Sequence, residues 1–151
     1  MHFVKELINN SIFMTAVWGW LVAQCTKLIL HLLLTGRFSP ERLIGSGGMP
    51  SSHAATVSAL TTATYIKFGA SGCEFAISLL FAIIVMYDAV GVRRETGIQA
   101  KLLNDIIVIF EDMERPEVTE YEKLKELVGH TPFQVLVGAL LGIIVGFLYP
   151  I

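Results

Sequence analysis

The ionisable residues of this chain are crowded into one segment, and the rest of the sequence carries few charges. Residues 91–131 hold nine of the 13 acidic residues and six of the 11 basic residues. A chain embedded in lipid carries few charges, because an ionised side chain near the bilayer centre is strongly disfavoured. This uneven distribution of charge predicts an integral membrane protein.

Four apolar stretches, at residues 12–34, 54–66, 75–89 and 133–148, are the candidate membrane segments. The first has the ~20 residues that a helix needs to cross a bilayer, and the other three are shorter. No small-residue cleavage site follows the first stretch, so we expect it to be retained as a span. None of the four alternates with a period of two, as the strands of a membrane barrel do.

We therefore expect an all-α, multi-pass membrane bundle that forms a single domain over residues 1–151. It would have about four spans, with one or two short helices in the polar segment between spans three and four. Apolar residues at helical spacing predict the first of these helices: Ile98, Leu102, Ile106, Ile109 and Met113. This amphipathic helix would lie on the membrane surface or cap the bundle. Arg115-Pro116 ends it, and Thr119 with Glu122 at capping-box spacing predicts a second helix that ends near Gly129.

The composition excludes several other classes of protein. Hydrophobic residues make up 54% and charged residues 16% of the chain, which is not the composition of a disordered protein. The net charge of −2 provides no field for nucleic acid. Cys25 and Cys73 have neither metal-ligand nor redox spacing, so we interpret them as small apolar residues. We expect no metal, no cofactor and no nucleic-acid partner.

Three glycines recur at intervals of four in the fourth span: Gly138, Gly142 and Gly146. On a helix they share one face, where another backbone can approach closely. We expect that backbone to belong to the same chain, and the alternative is a dimer interface.

Polar residues at the ends of all four spans fall on the same side of the membrane if the spans are antiparallel. They are Lys27 near the end of span one, residues 47–53 before span two, Asp88, Arg93 and Arg94 after span three, and residues 129–132 before span four. This convergence predicts a polar site at one end of the bundle.

His53 and His130 both lie at predicted helix starts. Either Ser51 or Ser52 is suited to cap the second span, and Thr131 is suited to cap the fourth. Helix starts present unpaired N–H groups and a positive dipole end, which favour phosphate.

Basic residues would complete an anion site around these histidines. Lys27, Arg93 and Arg94 have the charge to hold an oxyanion. Each also has a structural alternative, since a lysine can extend to the interface and arginines often mark the cytoplasmic end of a span. Two histidines beside a bound phosphate offer a nucleophile and a proton donor, so the pattern predicts metal-free phosphoryl transfer through a phosphohistidine.

These segments resemble the motifs of the type 2 phosphatidic acid phosphatase superfamily. The resemblance is closer to its small divergent membrane branch, the acid phosphatase/vanadium haloperoxidase-related proteins. It covers nearly the whole chain and rests on residues 47–53, residues 87–94 with 99–100 and 103–104, and residues 129–132. It implies a membrane bundle with phosphatase-like hydrolase activity.

The resemblance assigns roles to residues of the second span. The sequence Pro50-Ser51-Ser52-His53 is similar to the family's Pro-Ser-Gly-His motif, with Ser52 in place of the glycine. It implies that Ser51 binds phosphate and that His53 protonates the leaving oxygen.

The other two motifs match less completely. Lys27 matches the lysine of the first motif, but Arg37 and Arg42 lack the spacing and the adjacent proline of its arginine. In the third motif, either Arg93 or Arg94 would supply the arginine and His130 the nucleophile, although the polar segment separates them.

Gln134 occupies the position of the aspartate that, in the family, orients the nucleophilic histidine. A glutamine accepts a hydrogen bond but has no charge, and the same kind of replacement in a comparable triad lowers turnover by about 10⁴. Asp88 or Glu126 is an alternative partner. Two hypotheses follow: a membrane phosphatase acting on a phosphomonoester such as a lipid phosphate, or a non-catalytic relative that binds an anionic headgroup or a partner protein.

The basic residues also predict an orientation. More of them flank the span ends on the side of the polar cluster than on the other side, where Lys5 and Lys67 lie. The positive-inside rule then predicts a site that faces the cytoplasm, in a bacterial-type plasma membrane. Membrane lipid is the expected surrounding, and the sequence specifies neither the substrate nor the oligomeric state.

Overall fold

The computed structural model describes residues 2–36, 48–112, 124 and 128–150 of the chain. This part contains six α-helices and no strand. The helices are α1 (His2–Asn9), α2 (Ser11–Thr35), α3 (Ser52–Phe68), α4 (Cys73–Val90), α5 (Val92–Asp112) and α6 (Pro132–Leu148). The expected all-α class is confirmed.

The four apolar stretches correspond to α2, α3, α4 and α6, each within a few residues of its predicted bounds. Two stretches are long and apolar enough to cross a membrane by length and composition, Ser11–Thr35 and Cys73–Phe110, and the second of these joins α4 to most of α5. The shorter apolar helix is Pro132–Leu148.

The polar segment begins with a long helix, and the expectation of a short one there was wrong. α5 has 21 residues and starts at Val92, where only Gly91 separates it from α4. The Gly91 N–H donates to the Tyr87 carbonyl at 2.9 Å, so the turn between the helices keeps a helical hydrogen bond. The predicted helix end at Arg115-Pro116 and the second helix at Thr119 and Glu122 lie outside the described residues.

α3 is the central helix, and α2, α4 and α6 pack against it. Its buried face carries small side chains, including Ala55 and Ala59, which allow neighbouring backbones to come close. Gly19 of α2 lies against this face, and a Cβ there would be only 2.7 Å from the Ala59 Cβ. Close backbone packing of this kind replaces the large apolar core of a soluble protein.

The glycine stripe of α6 also packs on α3, and the prediction that it packs within the chain is confirmed. Three pairs approach closely: Gly138 with the Ser51 backbone, Gly142 with the Ala55 backbone, and Gly146 with the Thr62 side chain. A methyl group at any of the three positions would overlap with α3.

The outward faces of the helices are strongly apolar. Leu33 on α2, Ile84 on α4 and Phe147 on α6 are among many large apolar side chains that are exposed. A soluble monomer rarely exposes so much contiguous apolar surface. This inverted arrangement, with small residues inside and large apolar residues outside, is that of a helical bundle surrounded by lipid.

Candidate functional site

The polar end of the bundle brings together residues from four parts of the chain: Lys27 on α2, His53 on α3, Arg93 on α5, and His130 before α6. The rings of His53 and His130 have their centroids 6.3 Å apart, with an interplanar angle of 76°. The two histidines are 77 positions apart in the sequence, so their proximity depends on the packing of α3 against α6.

The start of α3 fixes the position of His53. Ser51 is the N-cap residue, and its Oγ accepts a hydrogen bond from the Ala54 N–H at 3.4 Å. The Ser51 N–H in turn donates to the Gln134 carbonyl at 3.1 Å, which ties this helix start to the first turn of α6. Of the two serines that suited the cap, the structure selects Ser51.

A second main-chain bond fixes His130. Its N–H donates to the Ala89 carbonyl, at the end of α4, at 3.1 Å. The preceding residue, Gly129, lies against the backbone of Arg94 so closely that a Cβ would overlap with it. His130 is thereby held against the junction of α4 and α5.

The predicted cap of α6 is also observed. The Thr131 hydroxyl accepts from the Gln134 N–H at 3.3 Å, and the Gln134 Oε1 accepts from the Thr131 N–H at 3.0 Å. Pro132 occupies the first helical position, where its missing N–H has no consequence. This capping box engages the amide oxygen of Gln134 in holding the helix start.

The His130 imidazole is buried but has no hydrogen bond to any described part of the chain. The residue is 2% exposed, and neither Nδ1 nor Nε2 has a partner there. Buried polar atoms in proteins nearly always have partners, so an orphaned one calls for an explanation such as a missing ligand. Burial, followed by the charge of Lys27, lowers the pKa of His130 to about 4. The ring is therefore neutral at pH 7 and has a lone pair available.

Arg93 connects His53 to a carboxylate. Its Nε donates to the Asp88 Oδ2, and its Nη1 lies 3.4 Å from the His53 Nε2. A guanidinium can only donate hydrogen bonds, so His53 accepts through Nε2 and carries its own proton on Nδ1 in this state. Asp88 therefore forms an ion pair with Arg93.

A pocket of about 330 Å³ opens onto His130. Its lining residues are Gly48, Arg94, Gly97, Ile98, Lys101, Gly129, His130, Thr131 and Gln134. The two consecutive arginines therefore have different surroundings, because Arg94 lines the pocket while Arg93 contacts His53 and Asp88.

Several residues to which the motif assigned a role have other contacts. Ser51 is fully buried with its hydroxyl engaged in the cap, Ser52 is also buried, and neither lines the pocket. Asp88 contacts Arg93, and no carboxylate of the described chain contacts the His130 ring. Arg37, Arg42 and Glu126 lie outside the described residues.

Lys27 does not extend to the interface. It is 3% exposed, and its side chain passes Gly48, where an added Cβ would lie 3.6 Å from the Lys27 Cγ. A buried ammonium near both histidines contributes positive potential to the site. The sequence left two alternatives for Lys27, extension to the membrane interface or a position in the anion site, and its burial beside the histidines supports the second.

Two features were missed by the sequence analysis. Lys101 lines the pocket seven residues after Arg94, and α5 had not been predicted to begin early enough to place both on one face. Asn104 is buried and makes two hydrogen bonds of 2.9 Å with the backbone of Leu124, which hold Leu124 against α5. The isolated Asn104 gave no indication of such a distant partner.

Metal ligation has no basis in the described part of the chain, where no three His, Cys, Asp or Glu side chains are grouped to hold an ion. Cys25 and Cys73 are free thiols and both are exposed. The site consists of imidazole, guanidinium and ammonium groups around a pocket, which suits an anion.

The small-residue packing and the apolar outer surface define a helical-bundle membrane protein with a polar site at one end. A family model described as the Divergent PAP2 family matches residues 8–145, and the chain belongs to this family. The chain is also similar to the "Uncharacterized membrane protein YuiD" of Bacillus subtilis (strain 168), with 37% identity over 147 residues that cover 92% of this chain and 93% of that protein. No solved structure matches the chain significantly. The family resemblance inferred from the motifs is confirmed.

Proposed function

We propose that this protein is a membrane phosphatase that hydrolyses a phosphomonoester through a phosphohistidine on His130. The observation that carries the proposal is the His130 ring, which is buried, neutral and without a hydrogen-bond partner in the described chain, and which lines a pocket with Arg94. An unprotonated imidazole is a nucleophile, and a nearby guanidinium stabilises the phosphoryl oxygens that it attacks.

The reaction has two steps. A ring nitrogen of His130 forms a bond to phosphorus while the bond from phosphorus to the ester oxygen breaks. His53, once it has taken up a second proton on Nε2 in place of the hydrogen bond from Arg93, gives that oxygen a proton. Water then attacks the phosphohistidine, His53 takes a proton from it, and inorganic phosphate leaves. The sum is an ester and water giving an alcohol and phosphate, with both histidines returned to their starting state.

Arg93 acts in this scheme as a positioning residue. Its contacts with Asp88 and the His53 Nε2 fix the orientation of the His53 ring relative to His130. Arg94 lies on the pocket wall and is the arginine that would contact the phosphate. Lys27 adds positive charge near both histidines.

A lipid phosphate is the substrate class that fits this setting. The polar site lies at the end of a bundle whose outer surface is apolar, so a substrate anchored in the same membrane reaches it by lateral diffusion. We further propose that the chain crosses the membrane several times and that the site faces the cytoplasm, in a bacterial-type plasma membrane, because Arg93, Arg94 and Lys101 lie at that end.

The second candidate function is anion binding without catalysis. It is favoured by one observation: the Gln134 Oε1 is engaged in the helix cap, and no described carboxylate contacts the His130 ring. Without such a partner, the positive charge that develops on His130 during attack has less compensation. The protein would then hold a lipid headgroup in the pocket and release it unchanged.

An assay of phosphate release separates these candidates. The detergent-purified chain is incubated with phosphatidate and isoprenyl phosphates in the presence of EDTA, as wild type, His130→Gln, His53→Gln and the control His2→Gln. His2 is an exposed histidine on α1, so its variant removes an imidazole without touching the site. We expect turnover in the wild type and control, and a loss of at least about 10²-fold in both site variants.

The covalent intermediate provides an independent measurement. Rapid acid-free quenching followed by ³¹P NMR should detect a phosphohistidine in the wild type, with accumulation in His53→Gln if water attack is slowed. A folded wild-type protein that binds phosphate but releases none from any ester would establish the non-catalytic alternative. Turnover that survives in His130→Gln would refute the assignment of the nucleophile.

A further inference from the structure

We propose that a groove between α4 and α6 binds one hydrocarbon chain of a membrane phospholipid, from the leaflet opposite the polar site. This is a second binding site, and it shares no lining residue with the pocket beside His130. The proposal rests on the multi-pass arrangement proposed above, and it does not depend on phosphatase activity.

The groove exists because α4 and α6 both pack on α3 but make little contact with each other. Residues of α3 form its floor and residues of the other two helices form its walls, around a volume of about 310 Å³. Leu79 of α4 and Ile143 of α6 line the walls and are also exposed on the outside of the bundle. The groove is therefore continuous with the apolar outer surface, where lipid is the neighbouring material.

The lining favours hydrocarbon over a polar ligand. The walls from α4 and α6 consist of apolar residues, and no acidic, basic or histidine side chain of the described residues lines the groove. The hydroxyls of the floor are engaged within the protein: the Thr62 Oγ1 donates to the Ser58 carbonyl at 2.8 Å, and the Thr61 Oγ1 lies 2.8 Å from the Val57 carbonyl. A hydrocarbon chain can therefore fill the groove without leaving a polar group unpaired.

The length of the groove matches the depth of one leaflet. Its lining runs along α6 from Ala139 to Phe147, an axial distance of about 12 Å. Half of the hydrocarbon layer of a bilayer is roughly 15 Å thick. The outer end is lined by Phe147 with Tyr65 and Phe75, whose rings have their centroids 5.4 Å apart. These residues lie at the helix ends farthest from the polar site, so the chain enters from the opposite leaflet.

An apolar cluster closes the inner end of the groove. Its buried members are Ala54, Ala89 and Val135. Met86 and Ala139 line the groove and pack against this cluster. Ala54 follows His53 in the chain, and the Ala89 carbonyl accepts the hydrogen bond from the His130 N–H. The cluster therefore lies between the groove and the two histidines, so the bound chain is not part of a ligand in the polar site.

A chain in the groove would support the position of α4 beside α6. At the polar end, the hydrogen bond from His130 to the Ala89 carbonyl joins these segments. Along the groove, the bound chain would contact both helices where they do not contact each other. Because it binds the folded protein, the phospholipid should raise Tm as its concentration increases.

Native mass spectrometry of the detergent-purified full chain counts the phospholipid molecules that it retains. The delipidated protein is titrated with dioleoylphosphatidylcholine, or with dihexanoylphosphatidylcholine, which has the same headgroup and much shorter chains. The wild type is compared with Leu79→Trp, which places a larger side chain in the groove. Leu80→Trp is the matched control, since Leu80 is 62% exposed and does not line the groove. Thermal unfolding confirms that each variant is folded.

We expect the wild type and Leu80→Trp to retain one dioleoyl lipid and to gain Tm with it. Affinity should fall at least about tenfold in Leu79→Trp, and for the dihexanoyl lipid, because fewer van der Waals contacts form. Equal retention in the two tryptophan variants, or equal affinity for the two lipids, would overturn the proposal. So would a wild-type dimer that Leu79→Trp dissociates with no change in retained lipid, since the groove would then hold a second copy of the chain.

Photo-crosslinking tests the wild type without any substitution, in case Leu79→Trp does not fold. A phosphatidylcholine with a diazirine in its chain should form adducts at Leu79 and Ile143, and excess dioleoylphosphatidylcholine should displace them. Adducts that are spread equally over Leu80 and Ile144 and resist displacement would indicate surrounding bilayer lipid only, and they would contradict a specific site.

Discussion

Replacing Gly142 with alanine tests whether the backbones of α6 and α3 make the contact on which the site depends. A Cβ at Gly142 would overlap with the carbonyl oxygen of Ala55 and lie 2.8 Å from its carbonyl carbon. These are main-chain atoms of the central helix, so they cannot rotate away as a flexible side chain could. The substitution therefore forces α6 away from α3.

Two opposing effects set the size of the change. Alanine favours a helix by about 1 kcal/mol relative to glycine, whereas overpacking a tight interior costs about 1–3 kcal/mol. Contact with rigid backbone atoms puts the overlap at the upper end, so a net loss of about 2 kcal/mol is expected. For a chain of this length, that loss lowers Tm by about 4–8 °C.

Thermal unfolding in detergent, followed by circular dichroism, measures the shift. Leu140→Ala is the matched control, since Leu140 lies on the same helix with 52% of its surface exposed, and it should change Tm little. An unchanged or raised Tm in Gly142→Ala would refute the close packing of α6 on α3. It would also remove the support for the 6.3 Å approach of the two histidines, which lie at the starts of these segments.

Two further predictions concern the protonation of His130 and the side of the membrane that the site faces. The pKa of His130 is lowered to about 4 in the folded chain, whereas the model value of a histidine is 6.5. On acidification below pH 6.5 the unfolded chain therefore binds a proton at His130 before the folded chain does. The free energy of unfolding should decline from pH 6.5 to 4 by at most about 3 kcal/mol. Unfolding measured across this range should give a flatter profile for His130→Gln, and equal slopes would contradict the buried neutral ring. The second prediction is tested in bacterial cells that express a Cys25→Ser chain, where a membrane-impermeant maleimide should label Cys73 from outside. In a Cys25→Ser chain that also lacks Cys73 and carries Lys101→Cys, the maleimide should label position 101 only after the cells are permeabilised. The reverse pattern would place the site on the outer face.

The four apolar helices were predictable from sequence, because few charges are tolerated in lipid and the charge-poor stretches therefore coincide with α2, α3, α4 and α6. The length of α5 could not be predicted in this way, because only Gly91 separates α5 from α4 and the chain keeps a helical hydrogen bond across that turn. The cap formed by Thr131 and Gln134 has the spacing of a capping box. Thr131 was predicted as the cap, but its reciprocal bond with Gln134 was not, although this spacing would have indicated that the Gln134 amide is engaged there.

The site itself was predictable only as a set of residues at one end of the bundle. Consecutive helical residues point about 100° apart, so the sequence could not decide whether Arg93 or Arg94 faces His130. That choice depends on the rotation of α5 about its axis, which the contact between Gly129 and the Arg94 backbone fixes. Long-range packing of this kind leaves no local pattern.

The main-chain bonds that hold the two helix starts have an evolutionary consequence. The bonds from the Ser51 N–H to the Gln134 carbonyl and from the His130 N–H to the Ala89 carbonyl join the starts of α3 and α6 and the end of α4 without using a side-chain atom. Mutation can replace the side chains around the two imidazoles while these main-chain bonds persist. Related proteins can therefore gain or lose catalytic activity, or bind a different anion, with the same backbone arrangement.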